Sequence, residues 1–356
     1  MQTRLFFIFF ACVLTVLFAQ IKDTESATHG DTAASYQVVD TYPFLNGKVI
    51  QLNLAVLSHY SYLLISEQEA VVIDPGRDVF TYLDIAKKEN VQIKAILLTH
   101  SHADFVAGHL ELAGRIPALV YVHSLSNVEY QHQPWKEGDT LNVGKMVLKL
   151  IATPGHTPDS ACIYAYADAK AEMPDFVFTG DTLFVGSVGR PDLLEGQMSA
   201  ANLASMMFDT WHGKLSKLND SVKIFPAHGA GSLCGAHLSD QPYSTIGEQR
   251  KTNSYLQYTA RNEFIAAILD GLPEAPQYFK HNAALNRKGP ELIEWQAPLP
   301  QPLPTSMALA DIAQYYVVDL RSATEYAAGH IPNSVNIGLR GRLETWVGIM
   351  CPGMQT

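Results

Sequence analysis

From residue 36 to about residue 270 the chain is a succession of short apolar runs broken by turn residues. Gln51 to Leu57, Tyr60 to Ser66 and Glu69 to Asp74 predict three strands, the last closed by Asp74-Pro75-Gly76, a turn signal. Asp78 to Lys88 places Val79, Leu83 and Ala86 at helical spacing. A strand over Lys94 to Leu98 follows, then a helix over Asp104 to Ala113. Further strands are predicted at Ala118 to His123, Met146 to Ala152, Ser160 to Tyr166, Phe176 to Phe178 and Val222 to Phe225. Ser199 is an N-cap ahead of Leu203, Met207, Trp211 and Leu215, an i, i+4 stripe that reads as core packing and not as a cofactor box. Gln257 to Leu269 predicts one more helix, ended by Gly271 and Pro273. Strands alternating with helices indicate a layered α/β architecture, although periodicity does not give its topology.

The two ends read differently. Arg4 followed by Leu5 to Ala19, with Thr15 the only polar residue, predicts a secretory signal over residues 1–19. That implies a secreted or periplasmic protein with no membrane attachment once the signal is removed. Residues 20–35 are small and polar, a linker. Pro298 to Pro304 reads Pro-Leu-Pro-Gln-Pro-Leu-Pro, a stiff extended stretch that separates a domain over 36–297 from a segment over 305–356. A length of 356 residues suits two domains, and 47% hydrophobic content allows a sizeable core. A formal charge of −10 without any long basic run excludes nucleic acid as a partner. After the signal, Cys162, Cys234 and Cys351 remain, an odd and widely spaced set that is no disulfide framework. Cys162 lies in an apolar run and reads as core; Cys234 lies in a loop just after a candidate site residue.

The chemistry concentrates where apolar runs end. Thr99-His100-Ser101-His102-Ala103-Asp104-Phe105 follows Ala95 to Leu98, and three more pieces follow in order. These are Pro154-Gly155-His156-Thr157, Thr179-Gly180-Asp181-Thr182 and Pro226-Ala227-His228-Gly229, each after its own strand-like run. Imidazoles and carboxylates on four strand-end loops can converge on one metal ion. Three histidines suit zinc; two histidines and a carboxylate with open faces suit Fe(II). Residue types alone leave both open. His109, His123 and His132 lack partners at ligand spacing and read as packing residues.

This ordered set resembles the metallo-β-lactamase superfamily. The resemblance implies an α/β fold, the αββα sandwich, with its site at one edge between two sheets. Two-metal members carry His-x-His-x-Asp-His where this chain ends its motif in Phe105, which cannot coordinate, so one metal ion per chain is expected. Thr-His-Ser-His-Ala-Asp, Pro-Gly-His-Thr, Thr-Gly-Asp-Thr-Leu-Phe and Gly189-Arg190-Pro191-Asp192-Leu193 together resemble the persulfide dioxygenase branch. That branch implies Fe(II), with Zn(II) the alternative, on His100, His156 and Asp181. His102, Asp104 and His228 would lie behind them, orienting ligands and waters. The substrates implied are O2 and a thiol persulfide such as glutathione persulfide, giving sulfite and thiol in sulfide detoxification. Arg190 is expected to hold a substrate carboxylate, with a structural pairing to Asp192 or Asp181 as its alternative. A glyoxalase II-like thioester hydrolase is the competing activity, weakened by Phe105, and a non-enzymatic sulfur carrier is a third. Homo-oligomerisation stays open.

Residues 305–356 resemble the first half of a rhodanese domain. A strand ending in Asp319-Leu320-Arg321, a helix, and Gly329-His330-Ile331-Pro332 carry the likeness. The expected segment is therefore a truncated rhodanese-like α/β piece. Cys351 has no loop after it to cradle a persulfide and is not assigned as a nucleophile.

Overall fold

Two sheets packed face to face hold the candidate site at a shared edge. The computed structural model describes residues 36–193, 198–293, 309–339 and 343–351. The expected signal, the first linker and the Pro-rich stretch lie outside them.

The first sheet is built from β1 (Gln37–Phe44), β2 (Gly47–Leu54), β3 (His59–Ser66) and β4 (Glu69–Ile73), then, after helix α1 (Phe80–Glu89), β5 (Gln92–Leu97). After the short helix α2 (His109–Ala113) come β6 (Leu119–His123) and β7 (Gln133–Trp135). Their spatial order follows the chain, antiparallel from β1 to β4 and parallel from β4 to β7. The second sheet contains β8 (Thr140–Val143), β9 (Met146–Ala152), β10 (Ala161–Tyr166) and β11 (Phe176–Gly180). Helix α3 (Ala200–Gly213) then leads to β12 (Lys223–Pro226) and β13 (Ser244–Thr245), and α4 (Ile246–Thr252), α5 (Arg261–Leu269) and α6 (Tyr278–Lys288) follow. Its order is β13-β12-β11-β10-β9-β8.

Side-chain alternation explains why the inner strands are apolar on both faces. On β3, Tyr62 and Leu64 enter the core between the sheets, where they join Leu148, Ile163, Phe178 and Phe225. Leu63 and Ile65 face the other way, with Val79 and Tyr82 at α1. On β10, Ile163 points between the sheets while Cys162 and Tyr164 join Met207 and Trp211 of α3 and Phe264 of α5. Helix, sheet, sheet and helix are thus stacked in four layers, the αββα arrangement. Ser199 caps α3, its side chain accepting from the Asn202 N–H, and Leu203, Met207, Trp211 and Leu215 are all buried.

Two departures from the sequence reading bear on the site. The helix expected over Asp104 to Ala113 begins only at His109. The Ala107 N–H is taken by Asn286 Oδ1 at 2.9 Å and the Gly108 N–H by the Pro75 carbonyl at 2.7 Å, so these donors serve tertiary contacts. Helix α6 lay outside the expected elements, yet it holds that loop. Asn286 Nδ2 donates to the carbonyls of His102 and Phe105, both at 2.8 Å. Asn286→Ala leaves three buried backbone groups without this partner. It is expected to cost about 2–3 kcal/mol, read as a lower denaturation midpoint at unchanged slope. An unchanged midpoint would refute this role for α6.

The residues after Ile293 form a separate unit. It comprises α7 (Leu309–Ile312), β14 (Val318–Asp319), α8 (Ala323–Ala328), β15 (Val335–Asn336) and α9 (Leu343–Met350), with β14 and β15 parallel. Ser322 and Glu325 make a reciprocal capping box at α8. The Arg321 guanidinium pairs with both carboxylate oxygens of Asp319. Cys351 is buried against Val318 and Ile337 in this unit's small core.

Candidate metal centre

Backbone pairing at one edge brings the four loops together. The Ala161 N–H donates to the Thr99 carbonyl at 2.9 Å, and the Ala227 N–H to Gly180 at 3.0 Å. The Tyr60 N–H donates to Ala227 at 2.7 Å and the Gly229 N–H to Ser58 at 2.9 Å, tying the start of β3 to the end of β12. Gly180 has φ +52°, and a Cβ there would lie 2.6 Å from Thr99 Oγ1, so the turn into Asp181 requires glycine.

His100, His156 and Asp181, all buried, place one ligand atom each within 4.8 Å of one another. His100 Nε2 is 3.7 Å and His156 Nε2 3.5 Å from Asp181 Oδ2. The hydrogen bonds behind the two rings fix their tautomers. His156 Nδ1 donates to the Arg190 carbonyl at 2.8 Å, since a carbonyl only accepts. Thr99 Oγ1 donates to Asp74 Oδ2 at 2.7 Å, so its contact with His100 Nδ1 at 3.0 Å has the ring nitrogen as donor. Both Nε2 lone pairs are therefore turned toward the carboxylate. Asp181 Oδ2 is itself buried with no hydrogen-bond partner. Three acceptors converging without a donor are unsatisfied unless a cation joins them, so the donor set fits a divalent metal. Burial keeps His100 and His156 below the ordinary histidine range, the neutral form a ligand needs. Burial alone would raise Asp181, but His228 and His100 hold it well below the usual carboxylate range.

The other expected residues stand behind this cluster. His228 spans two carboxylates, with Nδ1 2.8 Å from Asp181 Oδ1 and Nε2 2.8 Å from Asp104 Oδ2. Burial opposes its charge, yet Asp181 and Asp104 push it up to about 10. His102 Nε2 lies 3.2 Å from Asp74 Oδ1, and its ring packs 4.2 Å from that of His100. Phe105 sits between His102 and His59, with ring centroids 4.6 and 4.2 Å away.

Arg190 is not where a substrate anchor should be. It is 2% exposed, and its Nε and Nη2 donate to both oxygens of Asp192, at 2.8 and 2.7 Å. Nη2 also reaches the Pro273 carbonyl at 2.5 Å. The pairing with Asp192, the structural alternative, is what the fold contains. Arg190 serves the centre through its backbone carbonyl, which orients His156.

Several residues at the centre lay outside the expected site. Asp74 holds Thr99 through its N–H as well as its hydroxyl, and its only sequence signal was a strand end. His59, 2.6 Å from the Tyr36 hydroxyl, packs against His228 and Phe105, and nothing in its local sequence marks it. Cys234 groups with Asp104 and His228 in a second buried cluster. His109, His123 and His132 stay out of both groups.

Comparison with known proteins agrees with this geometry. The Metallo-beta-lactamase superfamily profile matches residues 54–228. A hydroxyacylglutathione hydrolase of Francisella tularensis subsp. novicida is 32% identical over 238 residues, 60% of this chain and 88% of the relative. The chain belongs to the metallo-β-lactamase superfamily. A probable hydroxyacylglutathione hydrolase of Schizosaccharomyces pombe is also 32% identical, over 56% of this chain and 83% of that protein. Among solved structures, a metallo-beta-lactamase of Staphylococcus aureus subsp. aureus COL aligns with TM-score 0.75 and 30% identity, over 86% of this chain and 89% of that one. ETHE1 from Myxococcus xanthus aligns with TM-score 0.58 and 27% identity, over 67% and 96%. The superfamily domain is followed by a rhodanese-like segment, matched over residues 306–348.

Proposed function

We propose that this chain is an Fe(II)-dependent persulfide dioxygenase that converts a thiol persulfide, such as glutathione persulfide, and O2 to sulfite and thiol. The observation that carries this reading is the two-imidazole, one-carboxylate cluster of His100, His156 and Asp181 beside a phenylalanine at position 105. That donor set suits non-haem iron. The motif resemblance and the fold likeness to ETHE1 favour the same branch. Bound there, Fe(II) would supply the electron chemistry that lets O2 react with a persulfide.

The protein's own part is positioning. Arg190 and Thr99 hold the two rings with Nε2 presented to the shared centre. His228 pins the far oxygen of Asp181, leaving Oδ2 for the ligand role. Behind the cluster His102 lies 3.2 Å from Asp74, and Asp104 holds the other ring nitrogen of His228 at 2.8 Å. Proposed localisation follows the leader-like first 19 residues, an exported protein.

The hydrolase names of the sequence relatives support a second reading, thioester hydrolysis. The two separate on one preparation. Anaerobically Fe(II)-loaded protein is expected to consume O2 and form sulfite from glutathione persulfide, and to leave a hydroxyacylglutathione thioester intact. Thioester cleavage without O2 uptake would replace the dioxygenase reading with the hydrolase.

A further inference from the structure

We propose that the apolar cavity between α3, α5 and the loop after Asp181 is a binding site for dioxygen, from which O2 reaches the metal centre apart from the persulfide. The inference rests on the dioxygenase reading, and its test separates the two.

The cavity is enclosed by Met207 and Trp211 of α3, Leu215 beyond that helix, Phe264 of α5, and Leu183 and Val188 from the loop that follows Asp181. It contains about 240 Å³ of unfilled space, counted out to its mouth, and no residue on its wall is more than 9% exposed. That wall is almost wholly apolar. Its two hydroxyls are already engaged. Thr182 Oγ1 is bonded to Thr153 Oγ1 at 2.8 Å, and Thr210 Oγ1 donates to the Pro154 carbonyl at 2.9 Å. A buried water needs roughly two to four polar partners, so an apolar cavity with none to give stays dry and takes small apolar molecules instead. Of the two proposed substrates only O2 is of that kind; a persulfide is an anion carried on a polar thiol. The cavity beside His100 makes the contrast, because Ser101, His123 and Asp159 stand on its wall, groups that hold water.

The apolar cavity lies against the loops of Asp181 and His156. Thr182 and Leu183 follow Asp181 directly. Val188 precedes Gly189, where a Cβ would lie 3.0 Å from His156 Nδ1. Met207 packs on Gly155, the residue before His156, where a Cβ would lie 2.6 Å from the Met207 Cβ. Met207 is thus both a wall of the cavity and a neighbour of the His156 turn. An unbranched thioether side chain is adaptable, so Met207 is the group that yields as O2 passes. A dry reservoir here raises the local concentration of the apolar substrate and leaves the polar approaches to the charged one.

The test uses xenon, an inert apolar gas, as the probe. In xenon-pressurised crystals of the metal-loaded full chain, xenon is expected between Met207, Trp211 and Leu215. Leu215→Phe, which fills the cavity from the turn after α3, should exclude xenon and raise the KM for O2 at least threefold, with the KM for glutathione persulfide unmoved. A cavity that takes no xenon, or a variant that excludes xenon and keeps the wild-type KM for O2, overturns the proposal. Should the variant fail to fold, xenon pressure on the wild type decides. Inhibition relieved by added O2 and not by added persulfide supports the site; no inhibition, or inhibition that O2 does not relieve, overturns it. A protein that takes up xenon yet consumes no O2 with persulfide would instead overturn the dioxygenase reading, and with it the assignment of O2 to the cavity.

Discussion

His156→Ala is expected to strip the first cluster of its metal and abolish sulfite formation while leaving the fold intact. His156 is the cleanest of the three donors to remove. Its one side-chain hydrogen bond is the donation from Nδ1 to the Arg190 carbonyl, and it sits on the loop between β9 and β10 outside the three large cores. Removing Asp181 instead would unpair His228, and removing His100 would disturb the Thr99–Asp74 chain behind it. Loss of a partner behind a ligand costs about 10–100-fold in metal affinity, so loss of a ligand itself should exceed about 100-fold. The measurements are iron content after desalting, sulfite formed per chain, and the far-ultraviolet dichroism spectrum. A folded variant that keeps its iron and its sulfite yield would remove His156 from the ligand set.

What was legible in the sequence was local. Each loop of the centre is a short polar motif immediately after an apolar run, so strand ends and candidate donors announced each other at His100, His156, Asp181 and His228. The stripe from Leu203 to Leu215 was equally plain because one helix face meets one sheet face. What escaped depends on contacts distant in sequence. β1 is mostly exposed, so no apolar alternation marks it. The buried face of α6 includes Asn282 and Asn286, polar residues that blur a hydrophobic stripe, and Asn286 is there to bond the loop below. The start of α2 is delayed by acceptors from Pro75 and Asn286. Arg190 is the converse case, in which the sequence leaves an anchor and a structural pairing both open. A guanidinium near a site suggests an anchor as readily as a structural pair, and the fold contains the pair, with Asp192 and the Pro273 carbonyl holding it.

Asp74 is the largest such omission, and two substitutions there should separate its structural work from its work on the metal. Its carboxylate accepts the Thr99 N–H at 2.8 Å and the Thr99 hydroxyl at 2.7 Å, and lies 3.2 Å from His102 Nε2. It also adopts φ +50°, a left-handed conformation that aspartate and asparagine tolerate better than alanine. Asp74→Ala forfeits both acceptors, the charge opposite His102 and the backbone preference. A loss of about 3–5 kcal/mol is expected, as for a broken buried ion pair. At roughly 2–4 °C per kcal/mol for a domain of this size, the melting temperature should fall by about 10 °C. Asp74→Asn keeps the backbone conformation and one carbonyl acceptor for the Thr99 N–H, so about 1–3 kcal/mol should be lost. Its amide, however, would donate to Thr99 Oγ1 where the carboxylate accepted. The hydroxyl proton then turns to His100 Nδ1, 3.0 Å away, and favours the tautomer with its proton on Nε2, where the metal lone pair should be. Metal affinity should therefore drop about 10–100-fold in the asparagine variant despite its milder melting shift. Thermal melts paired with metal titration read both effects. Equal metal affinity in Asp74→Asn and wild type would show that the chain from Asp74 through Thr99 does not set the state of His100.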